Sequence, residues 1–161
     1  MKIVASRFYA FERRRLVYPA ALHVSATLVF FCPAYAADHE ISTRGNQWAP
    51  VVLFIEPGDS VTWVGMSGHE TELIEGMAPE DAMLWGSDLH EEGFRVTFVV
   101  PGAYIYKCHI HLQAGMIGAI VVGAGVPANL AEIDSAIETV ESGRPAVRRV
   151  VARMKREIDA R

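Results

Sequence analysis

The chain has 161 residues, of which 51% are hydrophobic and 21% charged, and its formal net charge at pH 7 is -4. This length and composition fit one compact domain with an attached element and exclude a second full domain. The acidic balance argues against a nucleic acid as partner, because binding to phosphates requires a surplus of basic residues.

Residues 1–36 have the pattern of a secretory signal peptide. Basic residues come first, an apolar stretch covers 16–31, and Ala34-Tyr35-Ala36 is a small-residue cleavage pattern. We therefore predict export, cleavage near Ala36 and no stable membrane insertion afterwards. A membrane anchor is the alternative, but the apolar stretch is short and contains Pro19 and His23.

Removal of this segment changes both the charge and the cysteine content. The mature chain would carry 10 basic and 18 acidic residues, a net charge of about -8, with the acidic surplus ahead of Pro127. Cleavage also removes Cys32, so that Cys108 has no internal disulfide partner and is either held in the core or bound to a metal. The Arg13-Arg14-Arg15 stretch leaves both the Sec and the twin-arginine export routes open.

Residues 37–126 alternate short β-rich runs with turns, which predicts an antiparallel β-sandwich. Turn residues Pro57-Gly58 and Pro101-Gly102 each separate two such runs, and we predict that the runs on either side of each turn pair with one another. The predicted strands are 51–55, 60–64, 94–100, 103–107 and 117–122.

Residues 127–161 change to helical spacing, and we predict two helices that pack on the sandwich as a C-terminal extension. Asn129 and Glu132 form a capping-box pattern at the start of the first helix, and Gly143 ends it. A second helix begins near Pro145. The apolar faces are Leu130, Ile133, Ile137 and Val140 in the first helix and Val147, Val150, Val151, Met154 and Ile158 in the second.

Four side chains have the types and the spacing of a mononuclear copper site. Cys108, His111 and Met116 lie in one short loop, and His69 comes from far upstream. A thiolate and two imidazoles with a long axial thioether suit copper, because Cu(I) prefers soft sulfur and Cu(II) prefers imidazole nitrogen. Distant loops of a β-sandwich meet at one end, so the separation of His69 is no objection. The pattern predicts one copper ion that cycles between Cu(I) and Cu(II) and carries electrons.

Several motifs carry a family resemblance: Ala37-Asp38-His39-Glu40, Pro57-Gly58-Asp59, Gly68-His69, the Cys-His-Met loop and Pro127-Ala128-Asn129-Leu130. Together they resemble the pseudoazurins, which are periplasmic cupredoxins. The resemblance implies a Greek-key β-sandwich or barrel over 37–126, followed by two terminal helices. It also implies a type 1 copper bound by His69, Cys108, His111 and Met116, in a single-electron carrier that is not an enzyme. We expect a monomer.

Two residues next to the predicted ligands depart from that family. Glu70 follows the first histidine where the family usually has asparagine, and His109 follows Cys108 where a small residue or proline is usual. We hypothesise that Glu70 and His109 replace the missing tether by a charge-assisted hydrogen bond. Two solvated side chains that never meet are the alternative.

The surface charge departs from the family as well, since pseudoazurins usually surround the copper edge with lysines. We predict a redox partner with a basic docking face, either a c-type cytochrome or a periplasmic oxidoreductase. Electrons are expected to leave through His111. The basic partner is predicted because acidic residues lie close to His69 in this sequence, namely Glu70, Glu72, Glu75, Glu80 and Asp81. The apolar patch expected around His111 comprises Ile110, Leu112, Ala114, Gly115 and Met77.

Three other functions are open to the same residues. Glu70 as a ligand would make an altered, red copper centre. A copper carrier or store would use open methionine-rich surfaces, for which Met66, Met77 and Met83 are available. The loop also resembles the last motif of the multicopper oxidases, but that motif needs a histidine where Lys107 stands.

Overall fold

The computed structural model describes residues 35–161. Residues 1–34, which carry nearly all of the predicted signal peptide, lie outside the described residues. Within 35–161, neither helix combines the length and the apolar character needed to cross a bilayer.

In residues 35–161, eight strands form two four-stranded sheets, and two helices follow them. The first sheet has the order β2-β1-β4-β6 and the second has the order β3-β8-β7-β5. The β-sandwich with two C-terminal helices is therefore confirmed. The elements are β1 (Asp38–Thr43), β2 (Trp48–Ala49), β3 (Val52–Ile55), β4 (Ser60–Val64), β5 (Glu72–Leu73), β6 (Arg95–Thr97), β7 (Gly102–Lys107), β8 (Ile117–Val122), α1 (Leu130–Thr139) and α2 (Arg144–Asp159).

The sheets are mainly antiparallel, as predicted, but each contains one parallel pair. β1 pairs with β4 in parallel and β3 pairs with β8 in parallel, whereas the other pairs are antiparallel. The predicted pairing of neighbouring runs is wrong, because β3 and β4 belong to different sheets, as do β6 and β7. A turn sequence determines that the chain reverses, but it does not determine which strand receives its hydrogen bonds.

In the described part of the chain the core has two layers, one between the sheets and one between the second sheet and the helices. β8 is buried on both of its faces, which explains why its sequence is continuously apolar. Ile120 and Val122 contact the layer between the sheets, and Ala119 and Val121 contact the layer below the helices. This alternation follows from the two-residue period of a strand.

The helices pack on the second sheet as predicted, and the apolar face of α2 is buried from Val147 to Ile158. The predicted capping box is wrong, because the side chain of Asn129 makes no cap hydrogen bond. It accepts the Ala103 N–H at 2.9 Å and donates to the Ala103 carbonyl at 2.8 Å instead. Ala103 is fully buried, so its backbone groups need partners, and Asn129 supplies both. The division of the chain at residue 127 stays a prediction.

Candidate metal centre

The four predicted ligands lie on two connections of the sandwich. His69 lies between β4 and β5, while Cys108 follows the last residue of β7. Met116 comes directly before β8. Two rigid neighbouring strands therefore fix both ends of the loop that contains His111.

Three of the four donor atoms surround one point. The Sγ atom of Cys108 is 3.5 Å from Nδ1 of His111 and 4.0 Å from Nδ1 of His69. All three donor atoms lie within 4.8 Å of one another. Metal bonds of about 2.0 Å to nitrogen and 2.3 Å to sulfur place such donors roughly 3.5–4 Å apart, so the spacing fits one transition-metal ion. His69, Cys108 and His111 are thus positioned as a group that could hold a metal ion.

The chemistry of this donor set also fits copper. Cys108 is fully buried, and in the described part of the chain its thiol meets polar partners only at the two imidazoles. One thiolate between two imidazoles satisfies both oxidation states of copper. Burial, and secondarily the charge of His111, lowers the pKa of His69, which favours the neutral imidazole that metal binding requires.

Backbone hydrogen bonds close the loop around the site. The Cys108 N–H donates to the Met116 carbonyl at 3.0 Å, and the Met116 N–H donates to the His111 carbonyl at 3.2 Å. Gly115 has a φ of 81°, a conformation that favours glycine, and it lets the chain turn immediately before Met116. Met116 is fully buried in the same core cluster as Cys108. Its role as the axial ligand stays a prediction.

The hypothesis that Glu70 pairs with His109 is wrong, because the partner of His109 is Glu72. Nδ1 of His109 lies 3.3 Å from Oε1 of Glu72, and Nζ of Lys107 lies 2.8 Å from the same oxygen. Strand register explains this choice, since β5 pairs with β7 and places Glu72 directly opposite Lys107. Glu72, Lys107 and His109 form a cluster that joins the edge strand β5 to the start of the loop 108–116, which is called the copper loop below.

Two further residues hold the loop of His69, and the sequence reasoning missed both of them. Nδ1 of His90 accepts the Gly68 N–H at 2.7 Å, and the His90 N–H donates to the His69 carbonyl at 2.9 Å. The Glu92 carboxylate accepts the N–H groups of Met66 and Gly65 at 2.8 Å each, and these bonds lower the pKa of Glu92. His90 adopts a φ of 68°, which no sequence signal announced. These contacts orient a ligand loop from outside the ligand set.

The apolar patch expected around His111 is only partly present. Ile110 is 50% exposed and Ala114 is exposed, whereas Leu112 packs partly against the core. Met77 is fully buried, so its inclusion in the patch was wrong. Its side chain belongs to the layer below the helices, because its segment hydrogen-bonds to β7 through Ile105.

Comparisons with known proteins agree with this geometry. The family model for copper binding proteins of the plastocyanin/azurin family matches residues 36–123. A putative pseudoazurin of Rhizobium leguminosarum bv. viciae is 36% identical over 125 residues, which are 73% of this chain and 78% of the relative. The pseudoazurin of Methylorubrum extorquens is 36% identical over 75 residues, 46% of this chain and 50% of that protein.

Solved structures give the same result for the fold. A pseudoazurin structure from a Sinorhizobium species has a TM-score of 0.61 and 34% identity, with 72% of this chain and 94% of that chain covered. The pseudoazurin structure from Methylobacterium extorquens AM1 has a TM-score of 0.62 at 24% identity and supports the fold alone. The family model covers the sandwich that carries His69, Cys108 and His111. The chain therefore belongs to the plastocyanin/azurin family of copper-binding proteins, within which it is similar to the pseudoazurins.

Proposed function

We propose that this chain carries single electrons between redox proteins of the periplasm, with a type 1 copper held by His69, Cys108, His111 and Met116. The observation that supports this most directly is the buried thiol of Cys108 between two imidazole Nδ1 atoms. Membership of a copper-binding family and similarity to pseudoazurins support the same function. Bound copper would supply a one-electron couple between Cu(I) and Cu(II).

The protein contributes a donor set that is held in place. Cys108 and Met116 are anchored by adjacent strands, and the His69 loop is tied down by His90 and Glu92. Side chains fixed in this way would move little when bound copper changes its oxidation state. The arrangement therefore suits rapid electron exchange, because little of the surroundings has to move with the electron.

His111 is the proposed exit for the electron. Cys108 and His69 are buried, whereas His111 is half-buried and lies beside exposed Ile110 and Ala114. A partner that covers this loop comes closest to the site through the His111 ring. The interface is expected to be small and short-lived, as electron-transfer contacts generally are.

The visible spectrum of the oxidised, copper-loaded protein tests this proposal. We expect an intense band from the thiolate–copper bond, and we expect it to disappear and return in reversible one-electron reduction and oxidation. Zinc-loaded protein is the control and should be colourless. A copper-loaded protein without this band, or one that loses its copper on reduction, would contradict an electron carrier.

The alternative functions find no support in the described residues. Glu70 is not part of the cluster of donor atoms that could hold a metal ion. Met66 and Met77 are fully buried, and Met83 is the exposed member of the three methionines that a copper carrier could use. A red centre and an open methionine-rich surface are therefore both disfavoured.

The charges near the copper loop support a partner with a basic face on one side of the loop. Glu75 and Glu141 are exposed and line a groove with His109 and Leu112, and neither has an ion-pair partner among residues 35–161. On the other side, Arg149 borders a groove with Ala114 and Gly115. We propose that a basic c-type cytochrome or periplasmic oxidoreductase docks toward Glu75 and Glu141.

Charge-neutralising variants test this docking face. Glu75→Gln combined with Glu141→Gln should slow electron exchange with a basic cytochrome about three- to tenfold at low ionic strength, because attractive charges accelerate association. The difference should vanish at high salt. Arg149→Gln is the matched control and should leave the rate unchanged or raise it. Equal rates for the double variant and the parent at low salt would exclude this face.

A further inference from the structure

Asp59 is a buried carboxylate at the end of the sandwich opposite to the metal centre. Asp59 comes directly before the first residue of β4, whereas His69 lies beyond the last residue of the same strand. The Asp59 residue is 5% exposed. Its Oδ1 atom accepts the N–H of Ala37 at 2.6 Å, while Oδ2 accepts the N–H of Glu56 at 3.0 Å. Nε2 of His39 lies 2.8 Å from Oδ2. Three nitrogen groups therefore surround one anion.

The sequence predicts that Ala37 becomes the first residue of the mature chain, so that its nitrogen becomes the amino terminus. The pattern Ala34-Tyr35-Ala36 predicts cleavage of the bond between Ala36 and Ala37. Cleavage there would convert the Ala37 N–H from a neutral peptide group into a free ammonium group. Tyr35 is 89% exposed and Ala36 is exposed, whereas β1 begins at Asp38. The bond to be cut thus lies at the edge of the folded part, directly beside the buried carboxylate.

We propose that Asp59 is a binding site for the ammonium group of the mature amino terminus, so that signal removal turns a hydrogen bond into a buried ion pair. The inference rests on the export included in the proposed function. The Asp59 carboxylate already accepts a charge-assisted hydrogen bond from the neutral Ala37 N–H. An ammonium group at the same place adds the Coulomb attraction between two opposite charges. Processing would therefore stabilise the start of β1 on β4 without any change in the contacts of the fold.

The surroundings of Ala37 are compatible with a positive charge. Hydrogen bonds from Ala37, Glu56 and His39 lower the pKa of Asp59 to about 2, so the carboxylate is ionised at neutral pH. The adjacent cavity, of about 510 Å³, is lined by one further carboxylate, Glu56, and by the cations His39, when protonated, and Arg161. Asp38, next in the chain, is paired with Arg95. Asp59 is the acidic group in direct contact with the Ala37 nitrogen.

An ion pair raises the pKa of the ammonium group above its ordinary value of about 7.7–8.0. Its contribution to stability is then complete below the ordinary value and is lost as the pH rises through the raised one. A chain that retains Ala36 has an amide at this position and lacks that contribution. The two chains should therefore differ in stability at neutral pH and converge in alkali.

The test compares the copper-loaded chain that starts at Ala37 with the same chain starting at Ala36. Nuclear magnetic resonance should give the Ala37 amino group a pKa above about 9, against an ordinary value for the Ala36 amino group. The chain starting at Ala37 should have a Tm several degrees higher near pH 7 and an equal Tm above the raised pKa. An ordinary pKa for Ala37, or equal Tm values at pH 7, would overturn the proposal.

Two substitutions assign the effect to the carboxylate. Asp59→Asn should return the Ala37 amino group to an ordinary pKa and abolish the Tm difference between the two chains. Glu56→Gln changes a neighbouring carboxylate whose backbone alone touches Asp59, and it should preserve the difference. If Asp59→Asn does not fold, the comparison between the chain that starts at Ala37 and the chain that starts at Ala36 still tests the proposal. Persistence of the difference in folded Asp59→Asn would overturn the assignment.

The same samples separate this inference from the proposed function. If the visible copper band is absent, the proposal of an electron carrier is contradicted. The pKa of the Ala37 amino group can still be measured in that folded chain, so the two proposals fail independently. Sequencing the amino terminus of the exported protein tests the cleavage itself. A mature chain that begins at a residue other than Ala37 would overturn the binding site, whatever the colour of the protein.

Discussion

Replacing Cys108 by serine is expected to abolish the visible band of the copper-loaded protein and to weaken copper binding by more than the roughly 10–100-fold that the loss of an outer-shell partner costs. The thiol lies between the two imidazoles, and Cu(I) depends on its soft sulfur more than on either nitrogen. A serine hydroxyl stays protonated at neutral pH and offers only a weak oxygen donor. Absorption spectra and a competitive copper titration measure the two effects.

The control for this experiment is a second buried sulfur residue. Met66 is fully buried in the same core cluster as Cys108, but it is not a predicted ligand. Met66→Leu conserves apolar volume, so it should retain both the band and the copper affinity. Metal-free Cys108→Ser should keep a Tm close to that of the metal-free parent. Retention of the intense band by folded Cys108→Ser would show that another residue supplies the thiolate-like donor, and the proposed ligand set would be wrong.

Replacing Gly118 by alanine is expected to destabilise the fold by about 3 kcal/mol, because the added methyl group overlaps a buried ring. A Cβ atom on Gly118 would lie 2.2 Å from Cζ and 2.3 Å from Oη of Tyr106. Tyr106 is the direct partner of Gly118 across the β7–β8 ladder. Its ring is fully buried against Trp48 and Trp63, with centroids at 5.5 and 5.6 Å, so it has no free space to enter.

Thermal and denaturant unfolding measure this loss, which corresponds to a fall in Tm of about 10 °C. Gly86→Ala is the matched control, since its Cβ atom would meet Glu72 Cβ at an ordinary 3.8 Å. That variant should change stability by no more than about 0.5 kcal/mol. In a Tyr106→Leu background, Gly118→Ala should cost much less, because the ring that it strikes is gone. If Gly118→Ala destabilises the Tyr106→Leu protein as much as it destabilises the parent, the overlap with the Tyr106 ring is not the cause of the destabilisation.

Local patterns were sufficient for much of the fold. The run 117–122 coincides with β8, and all five apolar residues predicted for the last helix are buried in α2, together with Ala146. Both predictions depend on periodicity, which is a property of neighbouring residues along the chain. The Cys108, His111 and Met116 spacing was visible for the same reason, because a loop of nine residues holds all three.

The same local reasoning failed where two distant segments had to be aligned. It assigned Asn129 to a helix cap, although the amide of this side chain holds the backbone of Ala103 in β7. It gave His109 the wrong acidic partner, because only the register of β5 on β7 shows that Glu72 lies opposite Lys107. It also placed Met77 in an exposed patch, although Met77 is buried below the helices that cover its sheet.

The sequence by itself determined the donor chemistry, the class of fold and the two terminal helices. Each of these depends on residue types and on periodicity within a single segment. Only the tertiary structure decided which sheet each strand joins and that His90 and Glu92 hold the His69 loop. It also decided that Asp59 meets the nitrogen of Ala37. These contacts join residues more than 20 positions apart, and their free energy comes from burial and pairing between segments, which no local pattern encodes.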